Sequence, residues 1–421
     1  MRTITGWKPK KLTELADYIN GYAFKPDDWG KEGLPIIRIE QLKDPEAPTD
    51  YFDGKLPPSK IIKDGDLIFS WSASLYLRIW RHGYAALNQH LFNVIERQDV
   101  DRAFLKAFID FYLPSLTAAS HGSTMQHITR KELARFSAPF PESKLEQTKI
   151  AEILLTVDQA IERTEALIVK QQRIKTGLMQ DLLTRGIDEH GNLRSEQTHQ
   201  LKDSPLGRIP VEWGFGKISH YISFIKSGLS RRLLEEDIGV PVITSTNIQR
   251  SSLEISQLSF WYLKDPQGAK TESFFLDDGD VLLNFINSIE QIGKVCLFND
   301  LGRPTIYTTN LFRIKASQIS SQAFLCHLLD SQVVQNEIKF ITKPAVNQAS
   351  FTTIDFLGID VPLLSSSEQL RIVEFLSGLQ SNHEGATLSL AKLKRVKSGL
   401  MQDLLTGKKR VTALLEPELT R

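Results

Sequence analysis

Cysteine is nearly missing from the sequence: Cys296 and Cys326 are the only two in 421 residues. That is too few for a disulfide framework and is the usage expected in a reducing compartment. No apolar run approaches the roughly 20 residues needed to span a bilayer, and the N-terminus lacks the apolar core of a signal peptide. The expected location is cytoplasmic. Neither sign of charge is in excess, since 51 Lys and Arg meet 50 Asp and Glu for a formal net charge of +1. The basic surplus common in nucleic-acid binders is absent, so affinity for DNA would have to come from charge segregated by face.

Catalytic signatures are scarce too. There is no G-x-x-x-x-G-K-[ST] phosphate cradle, and the glycines of Trp213-Gly214-Phe215-Gly216 lack the third glycine of a dinucleotide or methyl-donor fingerprint. Neither Asp-Pro-Pro-Tyr nor Asn-Pro-Pro-Tyr, expected of an amino-methyltransferase, occurs. No histidine stands at metal-ligand spacing from a second His or Cys. Asp64 with Asp66, and Asp278 with Asp280, read as turn acceptors in preference to metal carboxylates. The expectation is a chain that is not an enzyme, binds no metal and carries no cofactor of its own.

What is present is ordinary globular composition, 41% hydrophobic and 24% charged, in a chain too long for one core, since single cores seldom pass roughly 250–300 residues. It also holds a long internal repeat. The stretch Lys175-Thr176-Gly177-Leu178-Met179-Gln180-Asp181-Leu182-Leu183-Thr184 returns as Lys397-Ser398-Gly399-Leu400-Met401-Gln402-Asp403-Leu404-Leu405-Thr406, 222 residues later. Glu146-Gln147 answers Glu368-Gln369, and Ile150 answers Ile372, in the same register.

Each copy is expected to be a long helix. Apolar or small residues recur at steps of four and three: Ile150, Leu154, Val157, Ile161, Thr164, Ile168, Gln171, Ile174, Leu178 and Leu182 in the first. The second reads Ile372, Leu376, Leu379, His383, Ala386, Leu390, Leu393, Val396, Leu400 and Leu404. This is close to a heptad seam, a stripe too narrow for a helix buried all round and too apolar for one left alone. The natural partner of each copy is the other, with Gln171 standing where its counterpart has Leu393 and His383 where its counterpart has Ile161.

The regions before each helix also correspond. Trp7 answers Trp213, Pro35 answers Pro241, Asp64-Gly65-Asp66 answers Asp278-Gly279-Asp280, His90-Leu91-Phe92 answers Asn310-Leu311-Phe312, and Gln126 answers Gln348. In the first block, Leu12 to Ile19 reads as a short helix closed by Asn20-Gly21, Pro35 to Ile39 as a strand, Leu67-Ile68-Phe69 as a strand after a turn, Asp101 to Leu113 as a helix and His121-Gly122-Ser123 as a turn. Trp71, Trp80 and Tyr84 read as core. The expected division is a first block over 1–143, a long helix over 144–185, a linker over 186–206, a second block over 207–364, a second long helix over 365–406 and a tail over 407–421. The expected fold is thus mixed α/β (α+β): two similar globular blocks joined by a pair of long antiparallel coiled-coil helices in a pseudo-twofold repeat.

Asn20-Gly21-Tyr22-Ala23-Phe24-Lys25, the run Asp203-Ser204-Pro205-Leu206-Gly207-Arg208-Ile209-Pro210-Val211-Glu212-Trp213, and both Gly-Leu-Met-Gln-Asp-Leu-Leu-Thr helix ends resemble the specificity subunit of type I restriction-modification systems. The resemblance covers essentially the whole chain. It implies that each block is a target recognition domain reading one half of a bipartite, asymmetric double-stranded DNA site, with the helix pair setting the gap. It also implies two modification subunits and two restriction subunits as partners, which would carry S-adenosylmethionine, ATP and Mg. A non-catalytic protein-protein interaction scaffold with two similar heads is the alternative that near-neutral charge permits.

Base edges are read by side chains that pair hydrogen bonds, and phosphates by cations and small hydroxyls. On that ground the candidate DNA contacts are Arg78, Arg81, His82, Asn88, Gln89, Ser123, Gln126 and His127 in the first block. In the second they are Asn284, Asn287, Gln291, Lys294, Thr309, Asn310, Lys343, Asn347 and Gln348.

Overall fold

The computed structural model describes residues 4–72, 75–118, 128–250, 252–345 and 348–415. They form two compact units: one of 1–166 with 387–421, the other of 167–386. No helix among the described residues is long and apolar enough to cross a membrane.

Unit 1 is built on a four-stranded antiparallel sheet in the order Ala16–Asn20, Leu91–Glu96, Leu67–Ser70, Tyr76–Ile79. A second sheet pairs Leu34–Ile37 in parallel with Ala85–Leu87. The helix Arg102–Ala118 lays Phe104, Leu105, Phe108 and Ile109 into the core beside Leu67, Phe69 and Phe92. Those helix positions recur at i, i+1, i+4 and i+5, one apolar face. The expected helix over Leu12 to Ile19 is in fact one turn, Leu12–Leu15, followed by a strand at Ala16. The alternation of buried Ala16 and Tyr18 with exposed Asp17 suits a sheet that packs on one side. Trp80 is core, whereas Tyr84 is exposed, a correction of the expectation for that ring. The expected turn at His121-Gly122-Ser123 lies outside the described residues.

Unit 2 repeats the plan. Its four-stranded sheet runs Ile222–Ser227, Leu311–Ala316, Val281–Asn284, Val295–Leu297, and Val240–Ile243 pairs in parallel with Ile306–Tyr307. Two helices, Gln322–Asp330 and Gln332–Ile341, take the place of the single helix in unit 1, each capped by a serine hydroxyl, from Ser321 and Ser331. The helix at 332 begins where Ser331 ends the one before it, so one residue makes the corner.

The first long helix spans Lys144–Thr184 and the second Ser366–Leu404. Each starts after a serine, Ser143 or Ser365, whose hydroxyl accepts the N–H of Glu146 or Glu368. Each stops before a glycine with positive φ, Gly186 at 67° or Gly407 at 70°, the usual helix-ending geometry. At Gly186 a side chain would collide with Glu368, Arg194 and Trp213.

Within unit 1, Ile150 and Leu154 share a core with Leu400, Leu404 and Leu405. Asp158 pairs with Lys397 at 2.6 Å, and Glu165 with Lys394 at 2.7 Å. One number rises as the other falls, so the two segments are antiparallel. Within unit 2, Met179, Leu182 and Leu183 share a core with Ile372 and Leu376, and Lys175 Nζ donates to Gln380 Oε1 at 2.8 Å. Each head therefore buries the start of the long helix that follows it and the end of the other.

The seam departs from expectation at one level. Ile174 and Val396 are 41% and 43% exposed. The alternation of four and three continues instead through Lys175 and Lys397, and Lys175 is only 8% exposed. Val157, Ile161, Ile168, Leu178, Leu379, Leu390 and Leu393 are half-buried along the same stripe.

Residues 186–206, expected as a linker, also differ. Arg194 is buried in an ion pair with Glu368, and Leu201–Ser204 forms a hairpin with Gly207–Pro210. Beyond Ile187 and Leu193, which reach the unit 2 core, what holds this stretch is charge and backbone pairing, which leaves no apolar period to read.

Candidate nucleic-acid interface

In unit 2 most of the expected contact residues gather around one ring. Phe285 leaves the central sheet after Asn284 and stacks on Phe312 with centroids 3.5 Å apart and planes 7° from parallel. The next two residues, Ile286–Asn287, pair with Ala349–Ser350, which in turn pairs with Lys343–Pro344. Lys343 and Gln348 are exposed on that small sheet. The turn holding Thr309 and Asn310 closes against the same ring, Phe285 N–H donating to the Asn310 carbonyl at 3.1 Å.

Asn284 has a different role from the one expected of it. Its side chain is fully buried, and Nδ2 donates to the Gln291 carbonyl at 3.4 Å. It therefore holds the turn 288–293 in place and reads nothing itself. Gly293, at φ 83°, closes the turn where a side chain would meet Gln335 Oε1 at 2.9 Å, and its carbonyl accepts from Gln335 Nε2 at 2.8 Å. The turn is fixed from beneath, leaving Ile289, Glu290 and Gln291 exposed at its tip. Asn287 Oδ1 accepts the Ser288 N–H. Lys294, at the foot, donates to Gln249 Oε1 at 3.1 Å.

Lys343 stands 3.5 Å from Asp355. The Thr352 hydroxyl first, then the Lys343 ammonium, hold the Asp355 carboxyl below the ordinary carboxylate range. Asn347 lies outside the described residues.

Unit 1 has the corresponding corner around Trp71, whose Nε1 donates to the Gln89 carbonyl at 3.3 Å. Asn88 is buried and spends its Oδ1 on the His90 N–H, so it shapes the turn and presents no reading edge. Gln89 remains exposed. Ser123, Gln126 and His127 lie outside the described residues.

Arg78 and Arg81 do not join that corner. They line a cavity of about 260 Å³ with Lys106, Asp110, Asp158 and Lys397, against the long helices, and Arg78 donates to the Lys43 carbonyl. His82 packs edge-on against Trp80 at 5.0 Å. Aromatic and cationic residues in one run made these three look like a reading surface, but the strand Tyr76–Ile79 turns the arginines toward the helix pair.

Two residues that sequence reasoning missed stand near the two corners. Arg130 donates to the Tyr18 carbonyl at 2.7 Å and to Asn20 Oδ1 at 3.0 Å. The Thr129-to-Glu132 capping box just around it marked the start of a helix there. Gln249, which accepts from Lys294, ends the two-residue strand Ile248–Gln249 and carries no pattern that could have found it.

The carboxylates of the repeated Asp-Gly-Asp turns accept backbone N–H groups: Asp64 from Gly83, Asp66 from Lys63, Asp278 from Asp300 and Asp280 from Asp277. Asp280 also pairs with Arg313 at 2.5 Å. Among the described residues, no three His, Cys, Asp or Glu side chains group so as to hold a metal ion. The corners offer amides, a few cations and aromatic backing.

Residues 4–171 match the family described as Type I restriction modification DNA specificity domain. The chain is 25% identical over 423 residues to the Type I restriction enzyme MjaVIII specificity subunit of Methanocaldococcus jannaschii, covering 98% of this chain and 95% of that one. It is 26% identical over 215 residues to the putative type I restriction enzyme MjaX specificity subunit of the same organism; that match spans 51% of this chain and about half, 50%, of the relative's length. Its fold is similar to that of a solved chain from work on complex assembly and conformational transition of the type I R-M system. There the TM-score is 0.59 and the identity 17%, over 97% of this chain and all of that one. With mixed helix and sheet throughout, the chain is similar along nearly its whole length to a type I restriction enzyme specificity subunit, and its residues 4–171 carry the match to the DNA specificity domain.

Proposed function

We propose that the chain reads a bipartite, asymmetric DNA site, with the head of unit 1 on one half and the head of unit 2 on the other. The long helices, paired as an antiparallel coiled coil, act as the strut that sets the gap between halves. Two modification subunits and two restriction subunits dock on this scaffold and bring S-adenosylmethionine, ATP and Mg with them. The chain supplies address and geometry, and bond chemistry belongs to the partners.

One observation carries this reading. Both units hold the same four-strand order and the same corner beside an aromatic ring, yet Trp71 with Gln89 in one becomes Phe285 with Asn310, Gln291 and Lys294 in the other. A shared frame with changed edge residues is what two heads need in order to read two different sequences.

The test is to map methylation by the complex after exchanging residues 1–143 for the equivalent block of a relative. One half-site changes and the other stays. A change in both, or a continuous target, overturns the reading. Failure of the purified complex to bind DNA more weakly as salt is raised would favour a protein-binding scaffold.

A further inference from the structure

The near-identity of Lys175–Thr184 and 397–406 raises a question of partner choice. Each head needs the end of a long helix to complete its core, and the two available ends have almost the same sequence. The unit 1 head could close on residues 387–404 of its own chain or on residues 165–182 of a second chain. The unit 2 head faces the mirror choice.

Most seam levels do not distinguish these options. Asp158 meets Lys397 in unit 1 and would meet Lys175 equally well. Gln380, which receives Lys175 in unit 2, would receive Lys397.

Three levels do distinguish them. In unit 1 the ion pairs Asp158–Lys397 and Glu165–Lys394 fix an antiparallel register that sets Ile161 at the level of Leu393. In unit 2 the Lys175–Gln380 hydrogen bond fixes a register that sets Gln171 opposite His383. Both Gln171 Oε1 and His383 Nδ1 are shielded from solvent. Within one chain, then, apolar meets apolar, amide meets imidazole, and acid meets base. If the first helix met its own copy, Ile161 would face Gln171 and Glu165 would face Gln172. If the second met its own copy, His383 would face Leu393 and Lys394 would face Thr387.

We propose that the Gln171/His383 level, the Ile161/Leu393 level and the Glu165–Lys394 ion pair are the specificity-determining contacts by which each repeat selects the other repeat of its own chain and rejects a second copy of itself. A polar residue at a single seam level is a known means of choosing register and partner, and the choice rests as much on what a wrong partner would bury as on what the right one gains. The inference stands whatever the heads bind.

The experiment co-expresses two differently tagged full-length chains and measures how much of the second tag copurifies with the first. For wild type the second tag stays at background. The variant Q171L/H383L/E165Q/K394Q, which levels all three contacts, raises copurification at least roughly tenfold, the change that about 1.4 kcal/mol of lost selectivity gives. Because that variant alters the seam, a gentler pair accompanies it at exposed positions. Lys394→Glu sets two carboxylates together only within one chain, so it raises copurification several-fold, and adding Glu165→Lys returns it to background. Copurification in wild type equal to that of the levelled variant overturns the proposal. So does a folded levelled variant that stays at background, or a Lys394→Glu effect that Glu165→Lys fails to reverse.

Discussion

The indole Nε1 of Trp213 donates to Oε2 of Glu368 at 2.9 Å. The same carboxylate receives the Arg194 guanidinium and the N–H of Ile187. Trp7, the counterpart in unit 1, is buried with an Nε1 that has no hydrogen-bond partner among the described residues. Replacing either tryptophan by phenylalanine removes similar volume, but only Trp213→Phe also takes a donor from a buried carboxylate. Thermal and denaturant unfolding are expected to place Trp213→Phe about 2 kcal/mol below Trp7→Phe, the range for a hydrogen bond to a charged group.

Arg194 and Arg410 close the two units in parallel ways, Arg194 on Glu368 and Arg410 on Glu146, with Arg410 Nη2 to Oε2 at 2.8 Å. Arg194 is buried, whereas the Arg410 side chain is 27% exposed. Arg194→Met should cost about 3–5 kcal/mol by stranding Glu368 in the core, and Glu368→Gln added to it should recover part of that. Arg410→Met should cost less, since Arg410 itself is partly exposed and its removal lets water reach the otherwise buried Glu146 carboxylate. Urea unfolding of the three variants checks the order.

His327 gives a pH dependence. Burial first, then the Lys175 ammonium, push its imidazole from 6.5 down to about 4. The unfolded chain takes up this proton near 6.5 and the folded chain only near 4. Stability is therefore full above about 6.5, falls as pH drops toward 4 and levels off below. The loss is at most about 3 kcal/mol. In His327→Gln this part of the slope in melting temperature between pH 7 and pH 4.5 is expected to disappear; an unchanged slope would assign it elsewhere.

Lys294 and Lys343 are expected to hold phosphates, while Asn287, Gln291 and Gln348 are expected to read base edges. Lys294→Ala or Lys343→Ala should weaken binding of the complex to every sequence and lower the slope of log affinity against log salt by about 0.9 each. Gln291→Ala should instead relax the half-site at one position with the salt slope unchanged. Fluorescence titrations at several salt concentrations on matched and mismatched duplexes separate the two behaviours.

Gly177 and Gly399 sit inside the long helices with nothing within 4 Å of where a side chain would start. Alanine at either should stabilise the free chain by about 1 kcal/mol, the helix-propensity difference. A gain in melting temperature of the free chain accompanied by weaker assembly with modification subunits would identify the open space as a partner's footprint.

The helices were legible because a repeated seam needs only counting. The misreading at Ile174 and Val396 arose because the seam takes a lysine there in each copy, and a lysine looks like surface until its partners, Gln380 and Asp158, are known. Arg194 was unreadable for the same reason. A buried ion pair across 174 residues of sequence leaves no periodic trace. Within the candidate interface, residue type alone picked out Gln291, Lys294 and Lys343, which the fold brings to one corner. It could not separate exposed Gln89 from buried Asn88, or Asn287 from Asn284, because which side of a turn faces the core depends on hydrogen bonds to distant backbone.

Unit 1 draws on both ends of the sequence, 1–166 and 387–421, whereas unit 2 is one continuous run, 167–386. On the ribosome the head made first must wait for a segment made after the whole of unit 2, because Leu404, Leu405 and Val411 belong to its core. Unit 2 has every residue it needs once residue 386 is made. The order of completion thus reverses the order of synthesis, and until residues 404–411 are made the earlier head keeps an apolar slot open for which Leu182 and Leu183 of a neighbouring nascent chain would compete.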